Sequence, residues 1–352
     1  MGRYLGEEAK RRGITIDELT DSLTLEDKIE LVERVAPGQD LSPWGMAPRA
    51  ELTEQRLTGV PALDDAVAAA RTGNWAPAAE VLASSYGEWD YRAVAVVLLA
   101  EVAADENAWL TAWRTARPDD RHSAAIDCES LMMLAWQLRG TALAKDTPAE
   151  RFAHFHRVLA AAEKSAKEAI ELLPGDPTPW ATLATVARGL QYDHADFDKV
   201  WQGLVERAPH HRYGHVTALQ YWCAKWAGSD ERMWAFAEEA AAKSPPLNVL
   251  VLQAARVAGG DGVWRQSNVR NALDELLRWL GSEEGAASVN AHDDIGWAAL
   301  ALVESGRAAE AVPLFRRLGR NAGGAPWRLT AKPAFVFNSY RTKACKAAGP
   351  PR

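Results

Sequence analysis

The chain has 352 residues, 48% of them apolar and 25% charged, and a formal net charge of −7. That composition excludes a wholly disordered chain, and the length suits about two domains or one long repeat array. The longest uninterrupted apolar run, Ala93 to Ala100, falls far short of the ~20 residues that span a bilayer, so no membrane segment is expected. Met1 to Arg12 is charged and lacks an apolar h-region, which reads as the absence of a secretory signal. Cys128, Cys223 and Cys345 are widely spaced and odd in number, as expected of free thiols in a reducing cytoplasm. The text is Ala-rich with few strand-like runs, and it holds 15 tryptophans that need an explanation.

Residues 1–57 read as an N-terminal helical arm followed by a linker. Tyr4 to Arg12 and Thr15 to Val35 are largely amphipathic at helical spacing, and Thr15 with Glu18 forms a capping box. Pro37 to Pro61 is rich in Gly, Pro and polar residues, which predicts the linker. The run from Gly13 to Leu19 faintly resembles the opening of a repressor-type helix-turn-helix. Some bacterial regulators join such a domain to a peptide-sensing repeat array, so the resemblance implies a regulator whose arm is the output. The corresponding recognition helix, Leu25 to Val35, carries Glu26, Asp27, Glu30 and Glu33 against Lys28 and Arg34. Phosphates dominate DNA affinity and repel such a helix. A docking or self-associating arm is therefore expected, and nucleic acid is disfavoured as a partner.

Beyond the arm, nearly every segment has helical period. Leu63 to Ala83 is apolar at i, i+3, i+4 spacing and breaks at Thr72-Gly73-Asn74. Thr147 to Glu150 forms a second capping box, with Pro148 at the first helical position. The helix it opens is predicted to run to about Leu173, where Pro174-Gly175-Asp176-Pro177 stops it and Thr178-Pro179-Trp180 opens the next. Only Phe335-Val336-Phe337 reads as strand-like, and it is too short to carry weight.

Pro174, Pro209 and Pro245 lie 35 and 36 residues apart, each just after a helical stretch. A period in the mid-thirties marks helix pairs that bury their apolar faces only against neighbouring pairs. Between Pro177 and Pro209, Trp180, Leu183 and Ala184 stand in the first helix, and Trp201 and Pro209 in the second helix and its stop. Ala162, Ala169 and Pro174 match the end of the preceding unit. Ala66, Ala69, Gly73, Ala78 and Leu82 fit the same template, as do Ala299, Gly306, Ala311 and Phe315. On these residues the text resembles a degenerate tetratricopeptide repeat array. Arg114 to Thr147 and Gly259 to Ala291 align poorly with it. The resemblance implies an all-α fold, a right-handed superhelical stack of antiparallel helix pairs over residues 58–318.

After Glu310 there are nine basic residues and no acidic one, which leaves the first 310 residues at −16 within the total of −7. This basic segment, taken as 319–352, suits an anionic partner, the protein's own acidic body, or a solvated tail closing the array.

Signs of chemistry are sparse. His211 and His215 have a spacing that suits two ligands of one metal, without the glutamate of a zincin. Asp193, His194, Asp196 and Asp198 cluster, but lack the loop glycine and distal glutamate of a calcium-binding hand. His154 and His156 point to different helix faces. There is no Gly-x-Ser-x-Gly elbow and no P-loop, and His122 with Cys128 suits no shared face. Gly259-Gly260-Asp261-Gly262 reads as an inter-repeat loop. No metal or other cofactor is expected.

Five tryptophans (Trp180, Trp201, Trp222, Trp226 and Trp234) fall within 55 residues and are assigned to helix-pair cores. The resemblance further implies a concave surface formed by the first helix of each pair. It would be lined by Arg188, Tyr213, Gln220, Gln253 and Arg256, which suit a peptide's backbone and carboxylates. The expected function is thus a cytoplasmic, non-enzymatic module binding a peptide or protein segment. A ligand-sensing regulator with the arm as output stands second, and an enzyme with a spatially assembled His/Asp site third.

Overall fold

Alanine and leucine favour helix, and their spacing here leaves nothing for a sheet. In the computed structural model the described residues form helices and no strand, with one isolated bridge between Thr53 and Asn321. The structure describes residues 9–11, 13–22, 39–56, 58–140, 148–260 and 262–350. The chain divides into two compact units, Leu57–Ala301 and a terminal unit made of Met1–Arg56 with Leu302–Arg352.

Helix α1 (Ile16–Ser22) opens with the expected capping box: the Thr15 amide donates to Glu18 Oε2 at 2.8 Å, and the Glu18 amide donates to Thr15 Oγ1 at 3.2 Å. The acidic stretch Leu25 to Val35 lies outside the described residues, as does Thr147 of the second box. Residues 39–56, read from the sequence as linker, instead hold two short 3-10 turns and bury Leu41 and Met46.

The central unit begins with α2 (Pro61–Arg71) and α3 (Ala76–Ser84), parted at Thr72-Gly73-Asn74 as the sequence predicts. Then come α4 (Trp89–Asp105), α5 (Ala108–Ala116), α6 (Ser123–Arg139), α7 (Ala149–Leu172) and α8 (Thr178–Gly189). They are followed by α9 (His194–Val205), α10 (Arg212–Trp222), α11 (Asp230–Lys243), α12 (Val249–Ala258), α13 (Ser267–Leu280), α14 (Glu283–Ala287) and α15 (Ala291–Glu304), whose last turn belongs to the terminal unit. Each of α2, α4, α6, α8 and α10 packs on the next member of the series that ends at α12. Helices α3, α7, α9, α11 and α13 pack against the member that precedes each of them.

The series α4 to α12 is buried on several sides, because its helices lack a polar face. In α4 the run Ala93 to Ala100 is wholly buried, and in α8 every residue except Trp180 and Arg188 is buried. The long helix α7 shows the opposite pattern. Phe155, Leu159, Ala162, Ala166 and Ala169 form one buried stripe, while Glu163, Lys164, Lys167 and Glu168 lie off it. Small residues set the helix separations: a Cβ on Gly203 of α9 would lie 2.2 Å from the Trp180 ring of α8.

In the terminal unit, α16 (Val312–Leu318) and α17 (Pro333–Ala348) enclose an aromatic cluster of Phe315, Trp327 and Phe337, all buried. The Thr53 amide donates to the Arg320 carbonyl at 2.9 Å, and the Ala322 amide donates to the Thr53 carbonyl at 2.8 Å. Phe335-Val336-Phe337 lies within α17 and is helical, correcting the strand-like reading; its aromatic residues at i and i+2 sit in a segment whose period is set by Phe337, Arg341, Ala344 and Cys345. Those four buried residues make the basic segment a packed helix and not a solvated tail. Among the described residues no helix is long and apolar enough to cross a membrane.

Candidate functional site

The histidine pair occupies the start of a helix. His211 is the N-cap of α10 and accepts a bond from the Gly214 amide on Nδ1 at 3.3 Å. The His215 Nδ1 lies 2.9 Å from the His211 carbonyl, and its ring meets Trp201 edge-on at 4.9 Å. Both rings are buried, and burial pushes both below the ordinary histidine range, His215 to about 4. Asp193 caps α9, accepting from the Asp196 amide at 2.9 Å. Among the described residues no group of three or more His, Cys, Asp or Glu side chains is placed to hold a metal ion. Cys128 is buried and its thiol is pushed well up by burial, while His122 Nδ1 accepts from Arg92 Nη2 at 3.1 Å. The sequence neighbours His122 and Cys128 thus serve different contacts.

Two buried ion pairs cross the central unit. Arg92 Nε donates to Asp176 Oδ2 at 2.5 Å, with both side chains fully buried, and Arg212 Nη2 donates to Asp294 Oδ1. Glu129 is also wholly buried and accepts from Thr182 Oγ1 and Tyr213 Oη, both at 2.5 Å. Burial raises the Glu129 carboxyl against the opposing pull of those two hydrogen bonds.

A different arrangement stands at the C-terminal ends of α6 and α8. Trp136 and Trp226 meet edge to face, with centroids 5.6 Å apart and planes 87° to each other. The Arg188 guanidinium lies 4.9 Å from the Trp136 centroid and 5.2 Å from that of Trp226. Arg139 stands 5.6 Å and 6.0 Å from the same two rings, and Lys225 Nζ 5.9 Å from Trp226. Arg151 borders the group: a Cβ on Gly140, next to Arg139, would lie 3.6 Å from its Nη1. None of these four cations forms an ion pair with a described residue. Two donors in the group, Arg188 Nε and Trp136 Nε1, are shut off from solvent without a partner. Burial lowers the Arg188 guanidinium to about 10, with the Arg139 charge acting in the same direction.

No family model, no curated protein and no solved structure matches this chain.

Of the five residues expected to face a partner, Arg188 lies in this cluster, and Tyr213 acts on it electrostatically from α10 while bonding Glu129. Gln220 is half-buried on α10, and its carbonyl accepts from Cys223 Sγ at 3.1 Å. Gln253 is buried within α12, and Arg256 is exposed at the end of that helix. Trp136, Arg139 and Lys225 were absent from the sequence reading. For Trp136 and Arg139 the signal was available only as an aromatic residue three positions before a helix-ending arginine, inside the stretch that does not align with the repeat template. Trp180, Trp201, Trp222, Trp226 and Trp234 are all partly exposed. Three carry guanidinium groups: Arg207 stands 4.8 Å from Trp180, Arg232 4.5 Å from Trp222, and Arg188 5.2 Å from Trp226. A cation–π contact of this kind stabilises a cation while leaving its N–H groups for other acceptors.

Proposed function

We propose that this chain is a non-enzymatic interaction module, built as a TPR-like stack of helix pairs, that binds a peptide or protein segment. What supports the architecture is the order of packing: alternate helices run on from one to the next, and each carries the following helix on its side. The observation that carries the function is Arg188, a guanidinium within cation–π distance of two tryptophans, with its Nε shut off from solvent and no acceptor. A buried donor left without an acceptor is costly, and the partner's acceptor removes that cost. Apart from Trp180 near its start, the rest of α8 is packed in the core, so the anchoring point on this helix is its C-terminal end and not a trough along its length.

The test is affinity capture from the native host with the full-length chain. Wild type is compared with Arg151→Glu/Lys225→Glu, which reverses two exposed charges and leaves the core intact. One protein recovered by wild type and lost with the charge-reversed chain is the expected result. Equal recovery by both removes the anchoring role of this cluster, and recovery of nothing above background removes the module reading.

A further inference from the structure

The cluster at the ends of α6 and α8 also specifies the chemistry of what it holds. Arg139, Arg188, Arg151 and Lys225 bring four positive charges together in a protein whose net charge is −7, and no described carboxylate pairs with any of them. Among the described residues the Arg139 guanidinium makes one hydrogen bond, a long one from Nη1 to the Gly140 carbonyl at 3.4 Å. The Glu129 carboxylate is engaged by the Thr182 and Tyr213 hydroxyls. A neutral acceptor would satisfy the orphaned Arg188 Nε and Trp136 Nε1 but would leave the charge uncompensated. An oxyanion answers both needs.

Two features separate the candidates among oxyanions. Donors come from three residues on two helices, Trp136 and Arg139 of α6 and Arg188 of α8, and a tetrahedral anion offers three acceptor oxygens in different directions where a carboxylate offers two in one plane. The excess of four cations also favours a dianion over a monoanion. A nucleotide base has no place in this scheme, because guanidinium groups already lie over Trp136 and Trp226. We propose that Arg139, Arg188 and Trp136 form a phosphate-binding site, with Arg151 and Lys225 drawing the dianion in from the rim. The proposal deepens the interaction-module reading only in assigning the phosphate to the bound segment; the site itself stands on the cluster.

The probe is inorganic phosphate, titrated calorimetrically into the full-length chain beside acetate and chloride at equal ionic strength. Saturable binding of phosphate, a matching rise in melting temperature, and no such response to acetate are expected. Arg188→Lys keeps the charge but loses the fork and the Nε donor, so phosphate affinity falls about tenfold or more. Trp136→Phe keeps an aromatic ring and removes one donor, for a loss of about threefold to tenfold. It carries the test alone if the lysine variant does not fold, and Lys243→Gln, an exposed residue on α11, leaves the affinity unchanged.

Absence of saturable phosphate binding, an equal response to acetate, or unchanged affinity in both Arg188→Lys and Trp136→Phe overturns the site. A peptide carrying phosphoserine that binds more tightly than free phosphate places the anion on a bound segment. Equal affinities mark a free-phosphate site and withdraw the assignment to the segment. Phosphate binding without any captured protein removes the module reading and keeps the site; capture that survives the loss of phosphate binding does the reverse.

Discussion

Arg212 on α10 and Asp294 on α15 stand 82 residues apart in the chain and meet in an ion pair whose side chains are 8% and 1% exposed. The backbone amide of the same Arg212 donates to Asp90 Oδ1 at 3.0 Å, so one residue ties α10 to both α4 and α15. Burial raises the Asp294 carboxyl against the downward pull of Arg212, which identifies a pair held at a real desolvation cost.

Removal of either partner leaves the other charge buried and alone. Arg212→Met and Asp294→Leu are each expected to cost about 3–5 kcal/mol, whereas the double replacement recovers most of that loss. A double-mutant cycle by urea unfolding measures the coupling. Additive losses in the double variant would show that the two charges do not depend on each other.

Arg92 and Arg341 supply a comparison between two fully buried arginines. Arg92 pairs with Asp176 and also donates from Nη1 to the Leu82 carbonyl at 2.6 Å. Arg341 donates from Nε to Asn338 Oδ1 at 3.0 Å, lies over the Phe337 ring, and has no partner for Nη1. Arg92→Met strands Asp176 and is expected to lose about 3–5 kcal/mol, while Arg341→Met leaves no buried counter-charge behind and shifts stability by about 1 kcal/mol or less in either direction. Chemical denaturation of both variants checks this; equal losses would mean that packing of the stems, and not charge, sets the cost.

Helix boundaries were legible because their causes are local. Thr72-Gly73-Asn74 parts α2 from α3, Pro174 to Pro177 separates α7 from α8, and the Thr15–Glu18 box is present atom for atom. The all-helical class followed from the same signals. Partners set by tertiary packing were not legible: Arg92 and Asp176 are 84 residues apart, and neither position carries a local mark of its pair. The aromatic corner was hidden for a related reason. Arg188 stood out by its place in a repeat unit, but Trp136 and Arg139 lie in the stretch from Arg114 to Thr147 that follows no repeat template. His211 looked like a helix-face ligand, because a sequence does not say whether a residue is the first in a helix or its cap.

Gly203 tests the close packing of α8 and α9. An alanine inside a helix ordinarily gains up to about 1 kcal/mol over glycine. Here its Cβ would lie 2.2 Å from the ring of Trp180, which Gly203 of α9 receives across the helix contact. Gly203→Ala is therefore expected to destabilise by about 1–3 kcal/mol, the usual range for overpacking. A Trp180→Leu background relieves the clash and returns the helix-forming gain. Thermal melts of the two single variants and the double variant decide it, and a stabilised single variant would show that the Trp180 ring moves aside at no cost.

The acid limb of the stability curve belongs in part to His215. Its ring is 4% exposed, seated against Trp201 and Phe236, and near the positive charge of Arg212. Burial is the main reason that its pKa falls from 6.5 to about 4. The unfolded chain therefore takes up a proton near pH 6.5 that the folded chain refuses until about pH 4. Stability from this group is complete above pH 6.5 and is lost as the pH falls through that window, roughly 3 kcal/mol in all. Glu129 and Asp294, whose carboxyls are raised, slope the other way, so the informative quantity is the difference between wild type and His215→Phe. The phenylalanine keeps an aromatic edge against Trp201 and removes the titration, and the variant loses less stability than wild type between pH 6.5 and pH 4. Part of the acid loss that remains belongs to His211 and His122, which burial also holds low. Denaturation midpoints measured across that range give the comparison, and parallel curves would show that His215 is protonated in the folded chain as readily as in the unfolded one.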